Sequence, residues 1–537
     1  MRMISKQDLK NILGQIPLTA EAYWYLRQPG KPVTPEFTLD RLEQSIPEWY
    51  RQVINSKVYA SSNHDPHLAE NKSIFIFATL RYWLEHATLL GMMMAGLGHA
   101  VTLAYLPYAR WQEPISTFNL RRQNVYAEGV LAKASPLLKV VSLLSQSKGT
   151  RLPVELHKVV DQVSLRDTQY TLQVEDVSLD SELYKLRSER NHSAAIAAFN
   201  YLRGHKPDVI ILPNGTILEF GVIYQVARFL GIPLITYEFG EQRDRIWLAQ
   251  NAEVMRQDTD ELWRSRRNQP LSSDQLDHVR KLFSARQHAS LWENFARRWQ
   301  GAPSEGGDQV RQSLALNRRP VVLLATNVIG DSLTLGRQVF SDSMTDWLER
   351  TVRYFAKRQD VQLVTRIHPG ELITKGPSVA DVVKKALPTI PENIHLVPAD
   401  AKVNTYDIVE IADLGLVYTT TVGMEMAMSG VPVIVVGNTH YRNKGFSLDP
   451  DTWEAYFELL SNVLSNTGKF RLDQQQVEQA WNYAYRFFFE YPQPFPWHLL
   501  HFGKDLESWP LSRLLDDKGL SGYRQTFNYL AGEPIRW

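Results

Sequence analysis

Between Pro320 and Val436 the chain alternates five short apolar runs with longer stretches of mixed polarity. The runs are Pro320–Thr326, Val361–Ile367, Ile394–Val397, Leu414–Tyr418 and Pro432–Val436. They are too short for ordinary helices and carry few polar residues, as strands covered on both faces of a parallel sheet do. Met344–Arg358, Val379–Leu387, Val403–Ile411 and Val422–Ser429 lie between them and read as crossover segments. Strand and helix in strict alternation specify a doubly wound α/β domain.

A second pattern of this kind precedes the first. Ser73–Leu80 (SIFIFATL) reads as a strand, Ala87–Leu97 as a helix with Gly98 as its cap, and Val101–Tyr105 as the next strand. Further on, Pro207–Pro213, the helix Ile217–Leu230 and Leu234–Tyr237 form another strand–helix–strand unit. Leu131–Ser188 gives no clear period, and Gly301–Asp308 (GAPSEGGD) reads as a linker. A chain of 537 residues is too long for one ordinary core. The expected fold class is therefore α/β, with two Rossmann-like doubly wound domains facing a cleft and helical additions at both ends. Residues 1–70 form a helical lead-in, 71–250 the first domain and 251–317 a helical bridge with its linker. Residues 318–450 form the second domain, and 451–537 are C-terminal helices packing back on the first.

Composition excludes several classes of function. The absence of cysteine removes disulfides, thiolate metal sites and cysteine nucleophiles. A net charge of +1 gives no argument for nucleic acid as a partner. Met1–Gln15 does not read as a secretory leader, and Leu89–Leu97 is too short to span a bilayer. The expected setting is the cytoplasm, with room for peripheral contact with the inner face of a membrane or with polysaccharide-assembly machinery. The sequons at Asn71, Asn191 and Asn214 then carry little meaning. His64/His67 and His498/His501 have ligand-like spacing but no convergent carboxylates, so no metal site is expected.

Two motifs in the second domain carry chemistry. His368-Pro369 follows the strand Val361–Ile367, where ligand-facing residues of open sheets sit, and its imidazole can donate to a phosphate oxygen. Thr419-Thr420-Thr421 follows the strand Leu414–Tyr418 and opens a helix, where free N–H groups and hydroxyls favour an anion. The alternatives are a structural turn at His368 and simple helix capping by Thr420 or Thr421. Glu425 either complements the helix dipole or accepts from ribose hydroxyls. Arg442 and Lys444 follow the last strand and either meet phosphate or a sugar carboxylate, or lie on a solvated loop. Asn327–Arg337 suits a loop closing over a ligand and lacks the Gly-Lys-Ser/Thr of a P-loop.

The order HPGE, then TTTVGMEMAMSGVPVIVVG, then HYRNKGFS resembles the donor domain of GT-B-fold glycosyltransferases. It is most similar to the capsule polysaccharide biosynthesis group with its Kdo transferases, and to the related CMP-using bacterial sialyltransferases. The resemblance covers about Val321–Asp449 well and the first α/β region only in outline. It implies that 318–450 binds a nucleotide-sugar donor and 71–250 a glycan or glycolipid acceptor. His368, Pro369, Thr419, Thr420 and Thr421 would contact the donor phosphate, with Arg366, Gly423, Glu425, Arg442 and Lys444 in the same donor site. It also implies a metal-independent enzyme with no cofactor, the nucleotide sugar being a substrate.

The chain departs from the family in two places. Threonines stand where serines are common, and Tyr237-Glu238-Phe239-Gly240-Glu241 replaces a pair of acids before a glycine. An inverting transfer needs a base at the acceptor hydroxyl. Glu238, at a strand end, is the first choice, with Glu241 and Asp244 as alternatives; the other reading pairs these acids with Arg243 and Arg245 on a loop. Asn214 and Gly215 are either acceptor contacts or a helix cap. Three further readings stay open: a CDP-glycerol-type polyol-phosphate transferase, a nucleotide-sugar epimerase, and a catalytically inactive GT-B-fold binding or assembly module.

Overall fold

A computed structural model describes residues 6–64, 71–146, 151–292, 295, 301–466 and 470–537. His67, named above for its spacing, lies outside them. The described strands are β1 (Ser73–Thr79), β2 (Ala100–Leu106), β3 (Leu138–Ser142), β4 (Val209–Pro213), β5 (Leu234–Glu238) and β6 (Arg245–Gln250). Then come β7 (Val321–Ala325), β8 (Gln362–Arg366), β9 (Ile394–Val397), β10 (Leu414–Val417), β11 (Val433–Val435) and β12 (Gln493–Pro494). The chain divides into two compact units, each with one sheet. No helix among the described residues is long and apolar enough to cross a membrane.

The first unit joins Met1–Thr168, Ser178–Val254 and Gln493–Arg536. Its seven strands run β12-β6-β5-β4-β1-β2-β3, with β5, β4, β1, β2 and β3 parallel and β6 antiparallel to both neighbours. Residues of β1 from Ile74 onward are all buried, as the unbroken apolar run requires. The helix after β1 begins at Arg81 rather than Ala87 and is buried from Trp83 to Gly96. A helix buried on every side has no polar stripe, so its start carries no periodic signal. Leu131–Ser188, opaque in sequence, supplies β3, the helix Val154–Leu172 and the start of the helix Glu182–Gly204. Phe495, Trp497, Phe502, Leu511, Leu514 and Phe527 join the core of this unit from the C-terminal segment.

The second unit joins Gln169–Val177, Met255–Pro492 and Trp537. Its sheet runs β11-β10-β7-β8-β9, all parallel, so β7 is central. From β7 the chain winds to β8 and β9 on one side, and from β10 to β11 on the other. The crevice at the carboxyl ends of β7 and β10 is therefore a topological switch point. The stretch read as a linker lies inside this unit. Asp407 accepts from the Glu305 N–H at 2.8 Å and Glu410 from the Gly307 N–H at 2.9 Å, so acids on the helix Thr405–Ile411 fix it in place. Glu175 caps the helix Met344–Phe355, accepting from Met344 and Thr345 N–H at 2.8 and 3.0 Å. This carboxylate satisfies two of the orphan donors that open every helix.

Candidate functional site

In the second unit, the two residues after β7 hold both expected motifs. Thr326 Oγ1 accepts from the His368 N–H at 3.1 Å. Asn327 Oδ1 accepts from the Thr419 N–H at 3.2 Å. Sheet order puts β8 and β10 on opposite sides of β7, so one dipeptide anchors the loops that follow both neighbours. The His368 ring is exposed, and its Nδ1 accepts from the Gly370 N–H at 2.9 Å. A neutral ring that accepts at Nδ1 carries its proton on Nε2 and is a donor there. A Cβ on residue 370 would lie 2.7 Å from that Nδ1, so glycine is needed for the ring to keep this position. Glu371 accepts from Ser378 Oγ at 2.7 Å and from the Val379 N–H at 3.1 Å, which ties the loop to the next helix. Pro369 opens the short 3-10 turn that carries the loop.

The three threonines have different fates. Thr419 Oγ1 donates to Leu333 O at 2.7 Å, so this hydroxyl is structural. Thr420 offers its carbonyl to the Tyr441 hydroxyl at 2.6 Å. Thr421 stands at the cap position of the helix Val422–Met428, yet its side chain makes no capping bond. Among the described residues, no partner is present for the Thr420 or Thr421 hydroxyl. Capping therefore does not account for the run.

The other residues expected in the donor site are engaged within the protein. Glu425 is buried, with Oε1 2.5 Å from Arg286 Nη2, so its carboxylate faces an ion pair rather than a ribose. Burial pushes its pKa up, and Arg286 and Tyr406 oppose that shift. Gly423 serves packing: a Cβ there would lie 2.4 Å from Tyr441 Oη. Arg366 is buried and donates to Pro398 O at 2.6 Å, because its strand turns it toward the β9 side of the sheet. Arg442 is buried and donates to Pro450 O at 2.6 Å and Asp451 Oδ1 at 3.0 Å, bracing its own loop. Lys444 pairs with Asp260 and lines a separate polar cavity with Trp263, Arg267, Asn443 and Gln479. The segment Asn327–Arg337 is not a free lid. Leu333 is held by Thr419, and Arg337 donates to the carbonyls of Met255 and Arg256.

In the first unit, the switch point lies between β1 and β4, where the chain winds to β2 and β3 on one side and to β5 on the other. Backbone strain collects there. Leu80 (φ 63°), Asn214 (φ 57°) and Leu218 (φ 53°) are non-glycine residues in the left-handed region. Gly215 (φ 79°) lies between, where a Cβ would meet Thr236 Cγ2 at 2.6 Å. Thr79 Oγ1 and Thr216 Oγ1 are buried without hydrogen-bond partners. Buried polar groups without partners are uncommon, and each calls for an explanation.

Glu238 ends β5 beside this point. Its Oε2 accepts from Asn214 Nδ2 at 3.2 Å and its Oε1 from the Phe239 N–H at 3.0 Å. Burial raises its pKa, and these two bonds lower it by less. Asn214 is therefore not the cap of the helix that follows it. The helix Leu218–Phe229 has Ile217 at its cap, while Asn214 accepts from the Thr216 N–H and orients Glu238. Tyr82, with its pKa raised by burial and by the Glu238 charge, is a neighbour the sequence reading missed. Trp83 and Phe239 stack at 6.1 Å and 23° to form the apolar wall. His86 behind them is neutral, its pKa lowered to about 3 by burial. Asp244 pairs through its carbonyl with the Phe495 N–H, and Glu241 follows Gly240, which packs on Trp247. No bond joins either acid to Glu238 among the described residues. His498 uses both ring nitrogens within the protein, on Gly240 O and the Leu500 N–H, which removes it as a ligand.

No family model matches the sequence, and no curated protein matches it. Solved structures similar to this chain include a β-Kdo 2,4 transferase, KpsC, from Thermosulfurimonas dismutans, at 13% identity and TM-score 0.33. The match covers 54% of this chain and 82% of that one. A UDP-GlcNAc 2-epimerase from Neisseria meningitidis is 12% identical with TM-score 0.26, over 78% of this chain and 100% of that one. S. aureus MnaA with UDP is 11% identical with TM-score 0.29, over 87% and 100%. Likeness at this level concerns the arrangement of strands and helices. The chemistry has to be argued from the residues.

Proposed function

We propose that the chain is a glycosyltransferase whose second unit binds a nucleotide-activated sugar by its phosphate. The observation that carries this is the pair of bonds from Thr326 and Asn327, which fixes the His368 and Thr419 loops beside a switch point. An Nε2–H donor and two unspent threonine hydroxyls then suit an anion, as such crevices in open sheets do. The Kdo-transferase resemblance makes a CMP-sugar the first donor to test and a surface polysaccharide or glycolipid the acceptor class. Glu238 of the first unit takes the proton of the acceptor hydroxyl. A base needs a raised pKa and a fixed direction, and burial and Asn214 supply these. No metal is required by this chemistry, since the leaving phosphate is met by hydrogen-bond donors.

Calorimetry with CMP, UDP and GDP tests the donor half. One of them should bind and its nucleoside should not, and His368→Ala should weaken the binding. If no nucleotide binds, or His368→Ala has no effect, the donor site is lost. Product mass tests the reaction. Sugar transfer without phosphate supports the reading, whereas retained phosphate indicates a polyol-phosphate transferase, and donor turnover without acceptor indicates an epimerase.

A further inference from the structure

The first unit contains a cluster that the proposed reaction does not use. His157 and Asp161 lie one turn apart on the helix Val154–Leu172, and His192 projects from the helix Glu182–Gly204. Spacing of four residues puts the first two on one helix face. Asp161 Oδ2 is 3.3 Å from His157 Nδ1, and Asp161 Oδ1 is 3.3 Å from His192 Nε2. One ligand atom from each of the three residues lies within 4.8 Å of the others.

The protonation of His192 is set by its surroundings. Its Nδ1 is 2.8 Å from the Ser188 carbonyl, which can only accept, so Nδ1 carries a proton. The lone pair of the neutral ring is then on Nε2. That atom is shielded from solvent and has no hydrogen-bond partner. It lies 3.3 Å from Asp161 Oδ1 without forming a hydrogen bond to it.

A charged N–H···O bond is about 2.7–2.9 Å long. Ligand atoms at about 2.0–2.1 Å from one tetrahedral zinc ion are separated by about 3.3–3.4 Å, the edge of the tetrahedron. The two separations here are 3.3 Å, His157 from Oδ2 and His192 from Oδ1, so one ring lies at each carboxylate oxygen. The two imidazole rings are also close, 4.4 Å between centroids. A divalent ion satisfies both rings and the carboxylate at once.

The geometry points to a zinc-class divalent metal site formed by His157, Asp161 and His192, with water in the fourth position. Imidazole with carboxylate is a borderline ligand set that suits zinc. Side-chain exposure of 56% at His157 and 42% at Asp161, against 20% at His192, leaves an entry path from solvent. The ion would staple the helix Val154–Leu172 to the helix Glu182–Gly204. Sequence reading missed the cluster because its ligands are split between helices. The His-x3-Asp pair at 157 and 161 was the signal available.

Untagged full-length protein, stripped with chelator and titrated with Zn²⁺ and with Co²⁺, tests the site. One ion per chain is expected, with the intense visible absorption of tetrahedral cobalt and a raised Tm. His192→Ala and Asp161→Asn should each weaken binding at least about tenfold to a hundredfold. No binding, a weak octahedral cobalt spectrum, or binding unchanged in both variants overturns the proposal. Should His192→Ala fail to fold, His157→Ala carries the same decision, because that side chain is more than half exposed.

Discussion

The two switch points are built on one topological rule and finished in opposite ways. In the second unit, the residues after β7, β8 and β10 hold one another by hydrogen bonds, and the loops carry little strain. In the first unit, three non-glycine residues at positive φ surround a carboxylate with a raised pKa. A site that holds a ligand gains from being satisfied beforehand. A site that moves a proton needs a group kept from its most stable state. The contrast fits the proposed reading, with binding in the second unit and chemistry in the first.

Replacing the base should break this contrast most strongly. Glu238→Gln is expected to lower kcat by about 10²–10⁴-fold while leaving nucleotide affinity unchanged. A carboxylate with a raised folded pKa contributes stability only while protonated, and that contribution is lost as pH rises through the folded pKa. At neutral pH the charge therefore works against folding, and Glu238→Gln should also raise Tm. Turnover should increase with pH through an acidic limb whose midpoint lies above the ordinary glutamate value, because the base must be ionised. Loss of activity accompanied by a lowered Tm would mean that Glu238 is structural.

Arg187→Met probes the scaffold of the first unit. Arg187 is fully buried, 2.6 Å from Asp167 and 3.1 Å from Glu219. Removing it leaves two buried carboxylates uncompensated, and urea denaturation should register a loss of about 3–5 kcal/mol. His368→Ala should cost about 1.5–3 kcal/mol of nucleotide binding, the value of a hydrogen bond to a charged group. Its Tm should hardly move, since the ring is exposed. The smallest effect separates the threonines. Thr419→Val should lower stability by about 1 kcal/mol through the lost bond to Leu333 O. Thr421→Val should leave stability nearly unchanged and weaken nucleotide binding instead. The reverse outcome would exchange their roles.

Much of the second unit was legible because its strands are covered on both faces. β7 and β10 read as continuous apolar runs and end within a residue or two of their expected limits. β3 and β6 were not legible. β3 is half-exposed after Leu138, and β6 alternates buried and partly exposed residues like an antiparallel strand. The helix Glu182–Gly204 hid for another reason. Arg187, Arg190 and Asn191 occupy buried positions, so its apolar stripe is interrupted by charge. At the donor site, His368 and the threonine run were visible as motifs at strand ends. The partners of Glu425, Arg366 and Arg442 were not legible, because sequence position gives the loop but not which way a buried ion seeks its partner. Asn214 as the partner of Glu238 depends on pairing between β4 and β5, which is a long-range fact.

The return of Gln493–Arg536 to the first unit has a consequence for the order of events at the ribosome. Trp497 and Phe527 are buried in a core most of whose members were synthesised hundreds of residues earlier. That core stays incomplete, with apolar surface exposed, until nearly the whole chain has emerged. The second unit, complete once Pro492 is out apart from the lone Trp537, can form while the first is still waiting. Domains usually fold from the N-terminus as they appear. Here the later-made unit is positioned to finish first, and the nascent first unit is the natural client of a chaperone.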